Sequence, residues 1–480
     1  MQNFVDSLKS ALSGFNDVIY TWILIPLLIG AGIYFTVRSA GLQFRLFGKM
    51  IKVIGHSREA QRGQISSFQA FAIGLAARVG TGNIAGVAVA ITLGGAGAVF
   101  WMWVVALLGM ATAFIEAALA QLFKVPWHDG TYRGGPAYYI WKGLKSWRWG
   151  AVFAVSLLFT YGIAFELVQS NTMSNSLYEA YGWPTWATGL VVTALTGAVI
   201  LGGLKSVARV TEILAPAMAL VYIGIAIIVI LMNLEHIIPV FTEIFESAFG
   251  LNEAFAGTAG GFTAAIMNGV KRGLYSNEAG MGSAPNAAST ATTIHPARQG
   301  LIQAMGVFVD TMLICSATAF IILISGIYTP GQEVEGATLT TNAAAAALGP
   351  WVQPVMIILV MVFCFSTLIG NYAYAEVNMD YLFPTKKLGN IVLRIVVVIA
   401  TFVGAVAKLG LVWTIADTSM FFMATINLVA IILLGSWAFG VLRDFESTKG
   451  EGAFVADDNR YLPGNIPDTI WTKETAGSAH

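Results

Sequence analysis

Ala76-Ala77-Arg78-Val79-Gly80-Thr81-Gly82-Asn83-Ile84-Ala85-Gly86 lies inside an apolar run over residues 66–93. A bilayer-spanning helix needs about 20 mostly apolar residues, so the run is long enough to cross, yet its centre is a poor helix. Each glycine in a helix interior costs about 1 kcal/mol relative to alanine, and an arginine and an asparagine stand near mid-span. Irregular backbone at that depth survives only where protein buries it or where it lines a wet cavity. Gly82 and Gly86 taken alone fit close helix packing through small residues. Gly80-Thr81-Gly82-Asn83 taken together points to an unwound segment.

Outward from this stretch, the chain reads as a polytopic integral membrane protein, all-α. Of its 480 residues 56% are hydrophobic and 11% charged, and mean hydropathy is +0.72. A soluble domain carries about 25% charged residues, so this composition cannot cover a water-facing surface of that size. The 26 basic and 26 acidic residues cancel, which gives no ground for a nucleic-acid partner. Cys315 and Cys364 both sit in apolar runs, which leaves neither a disulfide framework nor a cysteine metal site.

Eleven runs are candidates to span: 17–37, 66–93, 97–123, 151–177, 186–203, 211–233, 258–282, 298–327, 351–378, 390–409 and 413–442. The stretch His236–Phe249 mixes apolar residues with Glu243 and Glu246 at helical spacing and reads as an amphipathic surface helix. Arg443–His480 is polar, with Gly450, Gly452, Pro463, Gly464 and Pro467, and reads as a loosely ordered tail. Basic residues set the orientation. Arg38, Arg45, Lys49, Lys52, Arg58, Arg62, Lys124, Arg133, Lys142, Lys145, Arg148, Lys205, Arg209, Arg298, Lys386, Lys387 and Arg394 all fall in loops of one side. Loops of the other side carry Glu179, Glu235, Glu243, Glu246, Glu253, Glu333 and Glu335, and the basic residues there are Lys9 and Lys408. The N-terminus is therefore expected outside and the C-terminus in the cytoplasm.

The seventh run is also badly made, from Gly257-Thr258-Ala259-Gly260-Gly261 through Asn268-Gly269-Val270-Lys271-Arg272-Gly273. With the first span set aside, ten remain in two sets of five, each opened by an interrupted run. The expected organisation is 1–65 (amphipathic segment, extra helix and basic loop), 66–233 (first repeat), 234–257 (external amphipathic helix), 258–442 (second repeat) and 443–480 (tail). An odd number of spans per set makes the two sets inverted, and interrupted segments in corresponding places mark a transporter's central site. A half-helix starting near Asn83 offers N–H groups and a positive dipole end to a carboxylate. Carbonyls freed across the break suit an ammonium group or a bare Na⁺. No Asp or Glu lies in Ala76–Gly86, so a small zwitterion fits better there than a cationic amine.

These motifs resemble the alanine or glycine:cation symporter family, the sodium:alanine symporters. The resemblance rests on Gly80-Thr81-Gly82-Asn83-Ile84-Ala85-Gly86-Val87-Ala88, Gly134-Gly135-Pro136-Ala137, Ser276-Asn277-Glu278-Ala279-Gly280-Met281-Gly282-Ser283-Ala284-Pro285 and His295-Pro296-Ala297-Arg298-Gln299. It implies a LeuT-like fold of five-plus-five inverted repeats preceded by one extra N-terminal helix. It also implies substrate contacts from Gly80, Thr81, Gly82 and Asn83 in the second span, Gln169 in the fourth, and Thr263, Met267, Asn268 and Gly269 in the seventh. In the ninth, many members have tryptophan where this chain has Asn371 in Gly370-Asn371-Tyr372, which alters the pocket wall. The implied Na⁺ site pairs the hydroxyls of Ser366 and Thr367 with carbonyls of Ala76, Val79 and Phe363. Adjacent hydroxyls in a span also bond back to their own helix. Proton-driven relatives can place a lysine in the segment matching 211–233, which here holds no Lys or Arg; that favours Na⁺.

Charges within spans are costly and mark function or pairing. Arg78, Glu116, Glu166, Lys271, Arg272, Glu278, Asp310, Glu376 and Asp417 are such residues. Arg78 is expected to pair with a Glu, and Lys271, Arg272 and Glu278 to form an inner-gate cluster. The five histidines show no metal-ligand spacing and no nucleophile elbow, P-loop or cofactor fingerprint occurs, so neither an enzyme nor an ATP-driven pump is indicated. The reading is a Na⁺-coupled importer of small neutral amino acids, alanine or glycine, in the inner membrane of a prokaryote, with Na⁺ as coupling ion and no cofactor. Its rivals are a proton-coupled or glutamine-type symporter and a passive channel.

Overall fold

Backbone amides in a bilayer have no water to satisfy them and must pair within their own segment, and the apolar runs accordingly fold as helices. The computed structural model describes residues 2–58, 64–250, 260–329, 336–385, 387–407 and 409–474. Arg62, Glu253, Gly257, Thr258, Ala259, Glu333, Glu335, Lys386, Lys408 and His480, used in the sequence reading, lie outside the described residues. Eight described helices are long and apolar enough to cross a membrane, or nine with a bent pair taken as one span. In chain order the helices used below are α1 (Ser10–Arg38), the bent pair α2 (Ser67–Arg78) and α3 (Gly82–Gly94), α4 (Gly97–Leu122), α5 (Trp147–Tyr181), α6 (Thr185–Ile200) and α7 (Gly203–Met232). They continue as α8 (Ile237–Ala248), α9 (Gly260–Asn277), α10 (Ala284–Thr290), α11 (Pro296–Ser325), α12 (Ala337–Leu348), α13 (Val352–Leu382), α14 (Leu388–Val406), α15 (Gly410–Leu433) and α16 (Gly435–Ser447).

The difference from eleven candidate spans has local causes. Helix α6 is apolar but only 16 residues long, and α9, with 18 residues, carries Asn268, Lys271, Arg272 and Asn277 and is too polar to count. The run 413–442 is two helices, α15 and α16, divided at Leu434. The stretch read as amphipathic is α8, which buries Val240, Ile244, Ser247 and Ala248 and binds α4 through Gly97 N–H to Ser247 Oγ at 3.0 Å.

Packing centres on α4, which lies against α9, α10 and α11. Small residues make this possible: a Cβ on Gly300 would stand 2.6 Å from Phe114 Cδ2. Glu116 of α4, fully buried, reaches across to the loop between α9 and α10. Its two carboxylate oxygens accept the backbone N–H groups of Gly280 at 3.1 Å and Gly282 at 3.0 Å. Asn427 of α15 donates to Gly280 O at 2.9 Å. Both glycines have positive φ, +94° and +78°, a conformation that costs glycine little and L-side chains much.

The tail is not loosely ordered over its described part. Trp471 is buried and donates from Nε1 to Gln121 O at 3.0 Å, while Ala456 N–H bonds Trp471 O at 2.8 Å. Phe454 N–H donates to Ile294 O at 2.9 Å, and a parallel bridge joins Ile65 to Ala291 where α2 begins and α10 ends. Gln121 and Lys124 both donate to Ala291 O, at 3.1 and 2.6 Å. A composition rich in Gly, Pro and charge hid two scattered aromatic anchors, Phe454 and Trp471.

Replacing Glu116 tests what holds the second break. Each orphaned buried donor costs about 1–3 kcal/mol, so Glu116→Ala is expected to lower the thermal unfolding midpoint in detergent markedly more than Glu116→Gln, which keeps one acceptor oxygen. Equal losses in the two variants would show that the loop N–H groups do not depend on this side chain.

Candidate functional site

The first break is where α2 and α3 meet, with the two axes bent by 48°. Helix α2 starts on a capping box, Ser66 with Gln69, and ends at Val79, whose ψ of 89° leaves the helical region. Side chains take up the amides that the bend frees. Asn83 Oδ1 accepts Gly80 N–H at 3.0 Å, and Gln169 Oε1 on α5 accepts Thr81 N–H at 3.1 Å and the Thr81 hydroxyl at 2.6 Å. Carbonyls beyond the break are met from α11 and α12, by Thr318 to Asn83 O at 2.6 Å and Thr340 to Ile84 O at 3.1 Å. Only glycine fits at 80, because a Cβ there would overlap the Thr367 hydroxyl.

The second break is not where the sequence suggested. Gly260 to Asn277 is one uninterrupted helix, and the chain unwinds afterwards, at Glu278–Ser283, before α10. Gly269 and Gly273 serve packing on α4: a Cβ on Gly269 would stand 2.7 Å from Trp101 Cβ, and one on Gly273 3.4 Å from Met102 Cα. Thr263, Met267, Asn268 and Gly269 therefore lie along the intact helix, and Asn268 spends its amide on Ala264 O one turn back. The residues of α9 that meet the first break are Tyr275 and Ser276. A Cβ on Gly82 would be 3.0 Å from Tyr275 Cδ1 and 3.1 Å from Ser276 Cα.

Asp310, on a π-helical turn of α11, ties the two breaks together. Its carboxylate accepts Asn83 Nδ2 at 2.7 Å, Ser276 Oγ at 2.7 Å and Thr311 Oγ1 at 2.8 Å. The only two cysteines flank this cluster: Cys315 Sγ stands 3.1 Å from Ser276 Oγ and Cys364 Sγ 3.2 Å from Thr81 Oγ1.

The hydroxyl pair read in the sequence converges on α2. Thr367 Oγ1 lies 3.0 Å from Ala76 O, 3.4 Å from Val79 O and 3.1 Å from Phe363 O. Ser366 Oγ lies 3.3 Å from Ala76 O and 2.8 Å from Phe363 O. Two hydroxyls are thus grouped with two carbonyl oxygens of α2 and with the Phe363 carbonyl one turn back on α13 itself. Close approach of α13 to α2 allows it, since a Cβ on Gly370 would be 2.9 Å from the Ala77 backbone.

The charges sort into two groups, on either side of the breaks. Lys271 and Arg272 do not meet Glu278. They share Asp417 of α15, with Arg272 Nη2 at 2.6 Å and Lys271 Nζ at 3.8 Å from Oδ2. Trp413 and Tyr275 stack over this group: the Arg272 guanidinium lies 4.7 Å from the Trp413 ring, and the two rings are 4.9 Å apart. Glu278 instead faces Arg78, 4.0 Å from Nε, and accepts the hydroxyls of Ser283 at 2.9 Å and Tyr374 at 3.2 Å. Sequence reading missed Tyr275, Ser276, Asn277 and Trp413. Buried polar atoms without a partner mark the same neighbourhood, among them Asn277 Nδ2, Tyr275 Oη and both amide atoms of Gln303 and of Asn371; one sequence signal was available, since Ser276 and Asn277 open the longest matched motif.

Two helix breaks facing each other, with hydroxyl and carbonyl oxygens grouped at one and buried ion pairs nearby, resemble a transporter's central arrangement. Residues 5–458 match the family model described as the sodium:alanine symporter family. The chain belongs to the sodium:alanine symporter family. It is 47% identical over 440 residues to the probable sodium/glutamine symporter GlnT of Bacillus subtilis, covering 91% of this chain and 90% of that one. It is 41% identical to the sodium/alanine symporter AgcS of Methanococcus maripaludis, over 92% and 98% of the two chains, and 42% identical to the amino-acid carrier protein AlsT of B. subtilis over 99% of each. A manganese transporter of Eremococcus coleocola superposes with a TM-score of 0.52 at 13% identity, covering 86% of this chain and 83% of that one, which shows a shared LeuT-like fold. As a family member the chain is a multi-pass membrane symporter.

If the Arg272–Asp417 pair bars one route to the break, opening it exposes the cysteines. Asp417→Asn, placed in a Cys315→Ala background, is expected to speed alkylation of Cys364 by a small membrane-impermeant thiol reagent severalfold. An unchanged rate would show that the pair does not control access.

Proposed function

We propose that this protein is a Na⁺-coupled symporter that imports small neutral amino acids, alanine and glycine first, by alternating access across a prokaryotic inner membrane. The observation that carries this is the five-oxygen group of Ala76, Val79, Phe363, Ser366 and Thr367 beside a helix break that presents Gly80, Thr81, Gly82 and Asn83. The substrate carboxylate lies at the start of α3, where the dipole and glycine backbone favour an anion. Its ammonium group meets the carbonyl side of the break. Na⁺ held between α2 and α13 draws the two helices together and so shapes the substrate pocket. Because such coupling is reciprocal, bound substrate tightens Na⁺ binding equally, and downhill Na⁺ entry drives uptake.

In this reading spans 66–233 and 258–442 are two inverted five-helix repeats, preceded by α1, with eleven crossings in all, the N-terminus outside and the C-terminus cytoplasmic. The outer lock is Lys271 and Arg272 with Asp417, and the inner lock is Arg78 with Glu278. Closing one while the other opens gives alternating access. The helix-swept positions Thr263, Met267, Asn268 and Gly269 then line the outer approach along α9, and Gln169 positions Thr81 for the carboxylate.

The test is uptake of labelled alanine into proteoliposomes under an inward Na⁺, K⁺ or proton gradient. Concentrative uptake is expected with Na⁺ only, and Ser366→Ala with Thr367→Ala is expected to abolish the Na⁺ dependence. Accumulation driven by protons alone would discard the sodium site, and unsaturable, Na⁺-independent flux would mean a channel.

A further inference from the structure

We propose that the C-terminal tail is a strap: docked, it keeps its own face of the protein closed by fixing the ends of the two broken spans, and its release lets that face open. The proposal rests on the alternating-access reading and adds a control to it. Both broken spans reach this face, where α2 starts at Ser67 and α10 ends at Thr290. A short seam joins them there. Ile65 and Ala291 form a parallel bridge, Thr292 N–H donates to Ile65 O at 3.0 Å, and Ser67 Oγ donates to Thr292 O at 3.2 Å. Pairing over so few residues is only as firm as whatever holds the connection 291–295 between α10 and α11.

The end of α16 and the tail supply that hold. His295 Nδ1 accepts Ala297 N–H at 3.1 Å, so Nε2 carries the proton and donates to Asp444 Oδ1 at 3.1 Å. The other Asp444 oxygen accepts Asn459 Nδ2 at 2.8 Å. The buried His295 ring meets the rings of Phe445 and Phe454 edge-on, at 5.1 and 5.0 Å. Phe454 N–H donates to Ile294 O at 2.9 Å. Arg298 on α11 and Lys49 in the link leading to α2 hold consecutive tail carbonyls, Gly450 O at 3.2 Å and Lys449 O at 2.6 Å. Farther on the tail doubles back, Ala456 N–H bonding Trp471 O, and Trp471 Nε1 donates to Gln121 O at 3.0 Å. Gln121 and Lys124 are the residues of α4 and its end that hold Ala291 O, and the Lys124 ammonium stands 5.2 Å from the Trp471 ring.

The tail therefore grips residues 294–298 directly and Ala291 by way of Gln121 and Lys124. A segment rich in Gly, Pro and charge has little apolar surface with which to order itself, yet here Phe454, Ile466 and Trp471 are buried. The bonds of Asp444, Phe454, Gly450 and Trp471 converge on the one connection that receives the start of α2. Opening this face requires Ile65–Ser67 to part from Ala291–Thr292. Contacts made only while the face is closed shift the equilibrium toward closure by their own free energy. The docked tail thus favours the closed face, and a released tail favours the open one. Release need not disturb the spans, because the strap is made of separate contacts and an outer one, Arg45 with Glu446 at 2.5 Å, is 42% and 33% exposed and correspondingly weak.

The experiment measures alkylation of Cys364 in a Cys315→Ala background by a membrane-impermeant thiol reagent applied to either face of sealed vesicles. Trp471→Ala is expected to speed the reaction from the tail's face about fivefold, the shift that loss of one hydrogen bond produces, and to slow it from the opposite face. An unchanged rate from the tail's face would overturn the strap. Equal acceleration from both faces would also overturn it, since that marks general loosening and not a shift between two closures. If Trp471→Ala does not fold, the strap is locked instead, by Ile294→Cys with Phe454→Cys oxidised to a disulfide. The lock is expected to slow Na⁺-driven alanine uptake about tenfold, reversibly on reduction, with the wild type unaffected by the same treatment. Full uptake through a completed cross-link would overturn the proposal. If the wild type takes up no amino acid, the symport reading fails, and the alkylation rates from the two faces, which need no substrate, decide the strap on their own.

Discussion

Unpaired backbone in a membrane is the constraint on which the rest of this structure depends. At Val79–Thr81 and again at Glu278–Ser283 the helical ladder stops among buried residues. Each freed amide must find a side chain, because lipid offers none. The first break is met by Asn83, Gln169, Thr318 and Thr340, from four different helices. The second is met by Glu116 and Asn427. Much of the polar content around the breaks answers this one need, and it places α4, α5, α11, α12 and α15 around them.

That arrangement makes the site both rigid and poised. Glycine at 80 and 370 lets α13 approach α2 until hydroxyl and carbonyl oxygens are 3.0 Å apart. Asp310 binds Asn83 and Ser276 at once, so movement of either break is felt by the other. Buried ion pairs of the kind seen at Arg272–Asp417 and Arg78–Glu278 add little net stability, because desolvation offsets attraction.

Some of the arrangement was legible from residue order. The first break announces itself by Gly80, Gly82 and Asn83 within an apolar run, and the convergence of Ser366 and Thr367 on Ala76 and Val79 follows the family motif. The second break was misplaced because glycine serves two ends in a membrane helix. Gly261 and Gly269 stand in a run as glycine-rich as the first, yet Gly269 accommodates Trp101, whereas the true break hides in a polar run, Asn277-Glu278-Ala279-Gly280, that hydropathy assigns to a helix end. Charge pairing failed for a related reason. Lys271, Arg272 and Glu278 are near in sequence, but a helix turn every 3.6 residues and the break itself carry Glu278 away to Arg78, leaving Lys271 and Arg272 for Asp417.

Residue order by itself determined that the chain spans a membrane, where one helix must unwind, and which family motifs it carries, because those rest on local hydropathy, backbone preference and contiguous sequence. Tertiary structure alone decided what the breaks face. The absence of any acid in Ala76–Gly86 left a cationic amine without a counter-ion in that stretch, yet Asp310 and Glu278 arrive there from 200 or more residues away, and Asn371 comes to lie beside Glu166 from another helix. A polar side chain at mid-span is costly wherever it points, so its presence can be read from the sequence; its partner depends on which helix packs against it, and that is set by the sum of many small contacts between distant segments.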